Sequence, residues 1–223
     1  MNTSRRARYR ITHETRYRYA ANVTLSQQLL HLQPRDMPYQ TCIAKKLTIS
    51  PEPSYSTSSQ DSFGNPCTRL EFNQPHRELV VIAEMDVDVF TRDVATRFET
   101  SPAWEEMVSA CLYRGHVALT GDFLEALPFR FESPFVHLKH QFSDYAQDCF
   151  FKDRPLLVAI QALMSKIYHE FTFDPEATHI GTPLLEVLEK KRGVCQDFAH
   201  LMLACLRSLG LPARYVSGYL LTN

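Results

Sequence analysis

The segment Gly193-Val194-Cys195-Gln196-Asp197-Phe198-Ala199-His200 delivers a thiol from a glycine-bearing turn to the start of an apolar-striped helix. The first turn of a helix carries N–H groups with no partner inside the helix, together with the positive end of the dipole. Both favour a thiolate, which is the nucleophilic form of cysteine. The same N–H groups can receive charge that develops on a carbonyl oxygen under attack. The chemistry indicated is acyl transfer through a thioester at Cys195. On placement alone, packing as a small buried filler is the commoner fate of a free cysteine.

The remaining candidates are weaker. Cysteines stand at 42, 67, 111, 149, 195 and 205, with no CxxC pair, and a disulfide framework is not expected. Cys205 falls within the apolar stripe of the same helix and reads as packing. Cys42, Cys67, Cys111 and Cys149 have no supporting context. Gln196, Asp197 and His200 read as supporting residues. Asp197 suits the dipole of the first turn. His200 lies five residues after Cys195, well over a third of a turn off the thiol's face, and reads as a buried hydrogen-bonding residue. His169 and His179 flank a turn near the core, but their spacing does not direct them to the thiol. Glu84, Asp86 and Asp88 could bind a cation, yet alternate residues of this kind are more often the wet side of a strand.

Three helices must position the thiol. Pro155 opens the first, with Leu156, Ile160, Leu163, Met164, Ile167 and Phe171 at helical spacing. Thr182-Pro183 opens the second with a capping hydroxyl, and Gly193 is expected to stop it after Lys190, Lys191 and Arg192. The third begins around Cys195 and buries Phe198, Leu201, Met202, Cys205, Leu206 and Leu209. Gly210 and Pro212 end it, and Arg214–Leu220 then reads as a strand. Upstream, Trp104–Leu112 reads as a short helix and Asp122–Asp148 as short helical pieces. Thr91–Pro102 reads as a connector.

The first ninety or so residues have a period of two. Tyr9, Ile11, Tyr17 and Tyr19 share one parity, and Arg8, Arg10, Arg16 and Arg18 the other. The arginines therefore line one solvated strand face, a reading preferred over a nucleic-acid patch. Thr68–Asn73 and Val81–Phe90 alternate in the same way, Ile43–Ser50 does so less clearly, and Asp61–Pro66 is a turn cluster.

The chain has 223 residues, 44% of them hydrophobic and 22% charged, with a net charge of -1. These values suit a globular protein and give no reason to expect nucleic acid or membrane as a partner. No apolar run resembles a signal-peptide core or a membrane helix, so the cytoplasm is the expected compartment. Asn22-Val23-Thr24 fits a glycosylation acceptor only by chance in that setting.

The stretch Arg192–His200 closely resembles the nucleophile motif of the bacterial transglutaminase-like family, whose members are assigned by likeness as cysteine proteases. Leu206–Tyr219 resembles its continuation. Phe171-Thr172-Phe173-Asp174-Pro175 and Thr182-Pro183-Leu184 match the segment before it. Tyr17-Arg18-Tyr19, Leu32-Gln33-Pro34-Arg35 and Asp61-Ser62-Phe63-Gly64-Asn65 resemble the family's β-rich N-terminal domain.

With the strand-then-helix order, the resemblance implies an α+β protein. Residues 1–92 would form a β-sandwich-like domain, 93–153 a connector and helical lead-in, and 154–223 an incomplete papain-like, transglutaminase-like core. It implies Cys195 as the catalytic nucleophile of a protease, amidase or transamidase acting on a protein, peptide or amide. Thiol acyl transfer requires neither metal nor organic cofactor. In the family, a catalytic histidine, in a Ser-His-Ala-Trp-like stretch, and then an aspartate follow the Ser-Gly-Tyr strand. No match for either strand is present, and the only tryptophan is Trp104. Two readings stay open: an acyl-transfer enzyme, or a truncated, inactive module acting in binding or scaffolding. The coding sequence beyond residue 223 separates them. A sheet edge left unfinished at Tyr215–Leu220 would favour a homo-oligomer.

Overall fold

The period-two pattern is realised as two antiparallel three-stranded sheets. The strands are β1 (Arg6–Val23), β2 (Ser26–Leu30), β3 (Gln40–Ser50), β4 (Tyr55–Gln60), β5 (Pro66–Phe72) and β6 (His76–Phe90). One sheet has the order β1-β6-β3 and the other β2-β5-β4. Leu70 and Phe72 of β5 pack with Leu79 and Val81 of β6, so the two inner faces form a sandwich core. Ala83, Met85 and Val87 extend that apolar face along β6. The weak pattern of β3 has a cause: its register shifts between Cys42 and Ala44, which leaves Ile43 exposed.

The arginine face is not simply wet. Arg8 lies opposite Asp88, Arg10 opposite Asp86 and Arg18 opposite Glu78. Arg8 donates to both oxygens of Asp88 at 2.8 and 3.1 Å, and Arg6 contacts the same carboxylate. Arg10 binds Asp86, while Arg16 and Arg18 converge on Glu78. Asp88, expected on the solvated side, is only 2% exposed, because its partners cover it. The hydrogen bond from Arg8, aided by Arg6, holds its carboxyl down to about 2.

The computed structural model describes residues 6–91, 97–112, 121–179 and 181–221. The expected connector at Thr91–Pro102 includes residues 92–96, which lie outside these. Contacts divide the chain into two units, Met1–Ala95 and Thr96–Asn223. Among the described residues no helix is long and apolar enough to cross a membrane.

The second unit is helical: α1 (Trp104–Ala110), α2 (Asp122–Ala126), α3 (His140–Ala146) and α4 (Leu156–Glu170), then β7 (Thr172–Phe173), α5 (Leu184–Lys190), β8 (Arg192–Gly193) and α6 (Cys195–Ser208). Phe142 and Ala146 of α3, Leu163 of α4 and Val187 of α5 close over Leu201, Ala204 and Cys205 of α6. Full burial of each leucine contributes roughly 1.5–3 kcal/mol, so α6 is the best-anchored helix of the unit. Being surrounded, it also buries Leu203 and Arg207, outside the expected stripe, while Phe198, Met202 and Leu209 are only partly covered. Met164 of α4, expected inside, is 55% exposed, and Ala159 is buried instead.

The helical lead-in contributes directly to this core. Pro155 sits just before α4, whose Leu157 N–H donates to Ser101 Oγ at 3.0 Å, so the cap comes from 56 residues upstream. α6 ends in a Schellman turn: Leu211 N–H donates to Leu206 O and Gly210 N–H to Arg207 O, with Gly210 at φ 85°. Arg207 then staples the exit, donating to Ala213 O, Phe131 O and Ser133 Oγ. Arg214–Leu220 is not a strand. An extended segment becomes one only against a partner ladder, and none of the described residues provides it. Val216, Leu220 and Leu221 are therefore 74–86% exposed.

Candidate active site

The turn that presents Cys195 is built from both sides. β7 pairs in parallel with β8, Thr172 opposite Arg192 and Phe173 opposite Gly193. Thr172 N–H donates to Lys191 O and Asp174 N–H to Gly193 O, each at 2.9 Å. Arg192 adds an ion pair to Asp174 at 3.5 Å.

Gly193 does not stop α5. That role falls to Lys191, which adopts the left-handed conformation at φ 54° and donates its N–H to Val187 O. Gly193 is needed for space instead. A Cβ there would stand 2.7 Å from Asp197 Oδ2. The Thr182 hydroxyl does not cap α5 either; it bonds to His179, accepting from its N–H at 2.9 Å and meeting its Nδ1 at 3.0 Å.

Val194 occupies the N-cap of α6, and its side chain offers no acceptor. Asp197, three residues on, replaces it. Asp197 Oδ2 accepts the Val194 N–H at 2.8 Å and the Thr178 hydroxyl at 2.6 Å. This is the carboxylate half of a capping box, completed by a threonine from another segment. The first helical bond runs from Phe198 N–H to Val194 O. The N–H groups of Cys195, Gln196 and Asp197 thus precede the helical ladder, as first-turn donors do.

Cys195 is exposed at the first helical position, and Gln196 beside it is exposed as well. Cys67, Cys111, Cys149 and Cys205 are buried, and Cys42 is intermediate. Burial pushes the Cys205 thiol up to about 12, which suits packing and not nucleophilic chemistry. Burial also raises Cys149 and Cys42.

The three histidines that the sequence brings near the core, His169, His179 and His200, are engaged with other residues. His200 is half-buried and its neighbours are aromatic: it stacks on Phe135 at 5.6 Å and meets Tyr215 at 5.3 Å. Desolvation lowers its proton affinity, and Asp197 only partly opposes this. His169 bonds back to the Ser165 carbonyl, and His179 to Thr182. Thr178 and Phe135 carry no signal in the sequence, and Tyr215 reads there only as part of the expected strand Arg214–Leu220. Their contacts to Asp197 and His200 join distant segments and leave no periodic signal. Among the described residues no cluster of three metal-ligating side chains occurs, and Asp86 and Asp88 are taken by arginines.

Comparison with known proteins agrees with this architecture. Residues 9–88 match the bacterial transglutaminase-like N-terminal region, and residues 143–223 match the transglutaminase-like superfamily. Uncharacterized proteins of Mycobacterium tuberculosis and Mycobacterium bovis are 37% identical over 219 residues, covering 97% of this chain and 67% of theirs. An uncharacterized protein of Mycobacterium leprae is 31% identical over 213 residues, covering 96% of this chain and 71% of its own. The crystal structure of a "putative cysteine protease" from Cytophaga hutchinsonii superposes with a TM-score of 0.70 at 19% identity, covering 94% of this chain and 66% of that one. The chain thus spans about two thirds of the proteins it matches. An antiparallel β unit followed by a helical core, in that order and over those residues, places this chain in the bacterial transglutaminase-like family.

Proposed function

We propose that the protein is a cysteine acyl-transfer enzyme with Cys195 as its nucleophile. The sulfur attacks the carbonyl carbon of a peptide or carboxamide and forms a C–S bond. The C–N bond breaks, and the amine leaves with a proton. Water or a second amine then displaces the thiol from the thioester. Water makes the protein a hydrolase, as a protease or amidase, and an amine makes it a transamidase. One observation carries this reading: the exposed thiol stands at the first position of α6, beside N–H donors that lie outside the helical ladder. Gln196 and Asp197 support the site, the first as a flanking N–H and the second through the turn. His200 supports it by packing.

The test uses a glutamine-containing peptide. Ammonia release and a peptide adduct on Cys195, seen by mass spectrometry, are expected and should vanish in Cys195→Ser. Equal ammonia release by that variant would reject the assignment. So would iodoacetamide labelling of Cys195 no faster than that of Cys42.

A second reading is a binding or scaffold module without turnover. It is favoured by the engagement of His169, His179 and His200 with Ser165, Thr182 and Phe135 respectively. Peptide binding without ammonia release would support it. The protein is proposed to act without nucleic acid or membrane, because the exposed arginines of β1 are matched by carboxylates. All six cysteines are free, which suits the reducing cytoplasm.

A further inference from the structure

Val194 has no side-chain acceptor, so the entry into α6 depends on Asp197 alone. A carboxylate held only by one backbone N–H keeps freedom about its terminal torsion. Here a second donor removes that freedom. The Thr178 hydroxyl reaches the same oxygen at 2.6 Å, and on the remaining side the Gly193 backbone leaves no room for a methyl group. The loop that leads to Thr178 is itself held in place. Asp174 N–H donates to Gly193 O at 2.9 Å, and Ala177 N–H closes a turn onto Asp174 O. The loop after β7 therefore grips the start of α6 at two points.

We propose that Thr178 is a positioning residue for the nucleophile: it locks the Asp197 carboxylate onto the Val194 amide and so fixes the peptide that aims Cys195 outward. The inference rests on the reading of Cys195 as the nucleophile. Thr178 acts through Asp197 and touches no reacting atom. Valine at this position keeps the shape and removes the O–H, whereas serine keeps the O–H.

The experiment compares the Thr178→Val and Thr178→Ser variants of the whole 223-residue chain with the unmodified protein. The readouts are the rate constant of Cys195 alkylation by iodoacetamide and hydrogen exchange at the Val194 amide. Thr178→Val should slow alkylation by roughly two- to fivefold, the size of the effect that an ordered helix start has on a negative charge beside it. Its Val194 amide should exchange about tenfold faster, as expected for a weakened cap. Thr178→Ser should restore both, and Cys42 labelling should not change. Should Thr178→Val fail to fold, Thr178→Ala carries the same expectation. Unchanged alkylation in the variant lacking the hydroxyl overturns the proposal, whatever the amide does, and so does failure of serine to rescue. Slow labelling of Cys195 in the unmodified protein would instead remove the nucleophile reading, and this proposal with it.

Discussion

Gly193→Ala isolates the tightest contact at the candidate site. Gly193 does not have positive φ, so alanine meets no backbone penalty there and only space is tested. The added Cβ would stand 2.7 Å from Asp197 Oδ2, 3.1 Å from its Cβ and 3.2 Å from its Cγ. The carboxylate must move, and Oδ2 carries both the Val194 and the Thr178 hydrogen bonds. Bonds to an ionised acceptor contribute about 1.5–3 kcal/mol each, less where water can replace a partner. A loss of roughly 3 kcal/mol is therefore expected. For a unit of this size it lowers the melting temperature by roughly 10 °C. The sharper test is a double-mutant cycle. Asp197→Ala already forfeits both bonds and opens the space, so adding Gly193→Ala should change stability by less than about 0.5 kcal/mol. Thermal denaturation of the four proteins decides. Additive losses, or a Gly193→Ala variant as stable as the unmodified protein, would refute the steric argument.

Four further outcomes follow from the same structure. Asp88 has its carboxyl depressed to about 2 by Arg8 and Arg6, so its contribution is present above the ordinary carboxylate range and lost as pH falls from about 4 to about 2; acid titration should show this loss in the β unit, and Asp88→Asn should abolish that part of the pH dependence. Ser101→Ala removes the acceptor for Leu157 N–H and should destabilise the helical unit by about 1 kcal/mol in urea unfolding. Arg207→Ala strips partners from the carbonyls of Phe131 and Ala213 and should cost about 2–4 kcal/mol, with equal stability of the variant counting against the staple. The exposed Val216 and Leu220 should drive self-association, so sedimentation should find a dimer or larger species that Val216→Asp with Leu220→Asp returns to monomer.

What the sequence made legible was local. The start of α6 at Cys195 could be read from a glycine turn followed by an apolar stripe, and both signals lie in one local stretch, residues 193–209. The alternation of β5 and β6 was equally plain, since one face of each strand is buried. What escaped depends on contacts across distance. The Thr178–Asp197 bond spans 19 residues, and nothing in the spacing of a threonine predicts which carboxylate it meets. Asp88 shares its parity with exposed residues, and only the cross-strand arginines cover it. Gly193 looked like a helix stop because glycine commonly is one. Its need for space is visible only once Asp197 folds back upon it. Arg214–Leu220 has strand-like composition, but composition supplies no hydrogen-bonding partner.

The geometry also separates two demands of acyl transfer that a single residue pattern had joined. Receiving charge on a carbonyl oxygen requires fixed N–H donors, and the start of α6 supplies these by virtue of being a helix start. Moving a proton requires a base on an element that faces the thiol. His200 cannot serve from its own helix, because five residues of rotation carry it about 140° away and about 7.5 Å along the axis. Its ring is further committed to Phe135 and Tyr215, in surroundings that disfavour its protonated form. On the proposed reading of Cys195, a base must therefore approach from outside α6. It follows that alkylation of the thiol and turnover of a substrate are separable: the first tests the turn built by Gly193, Asp197 and Thr178, and the second tests whether a proton carrier reaches it.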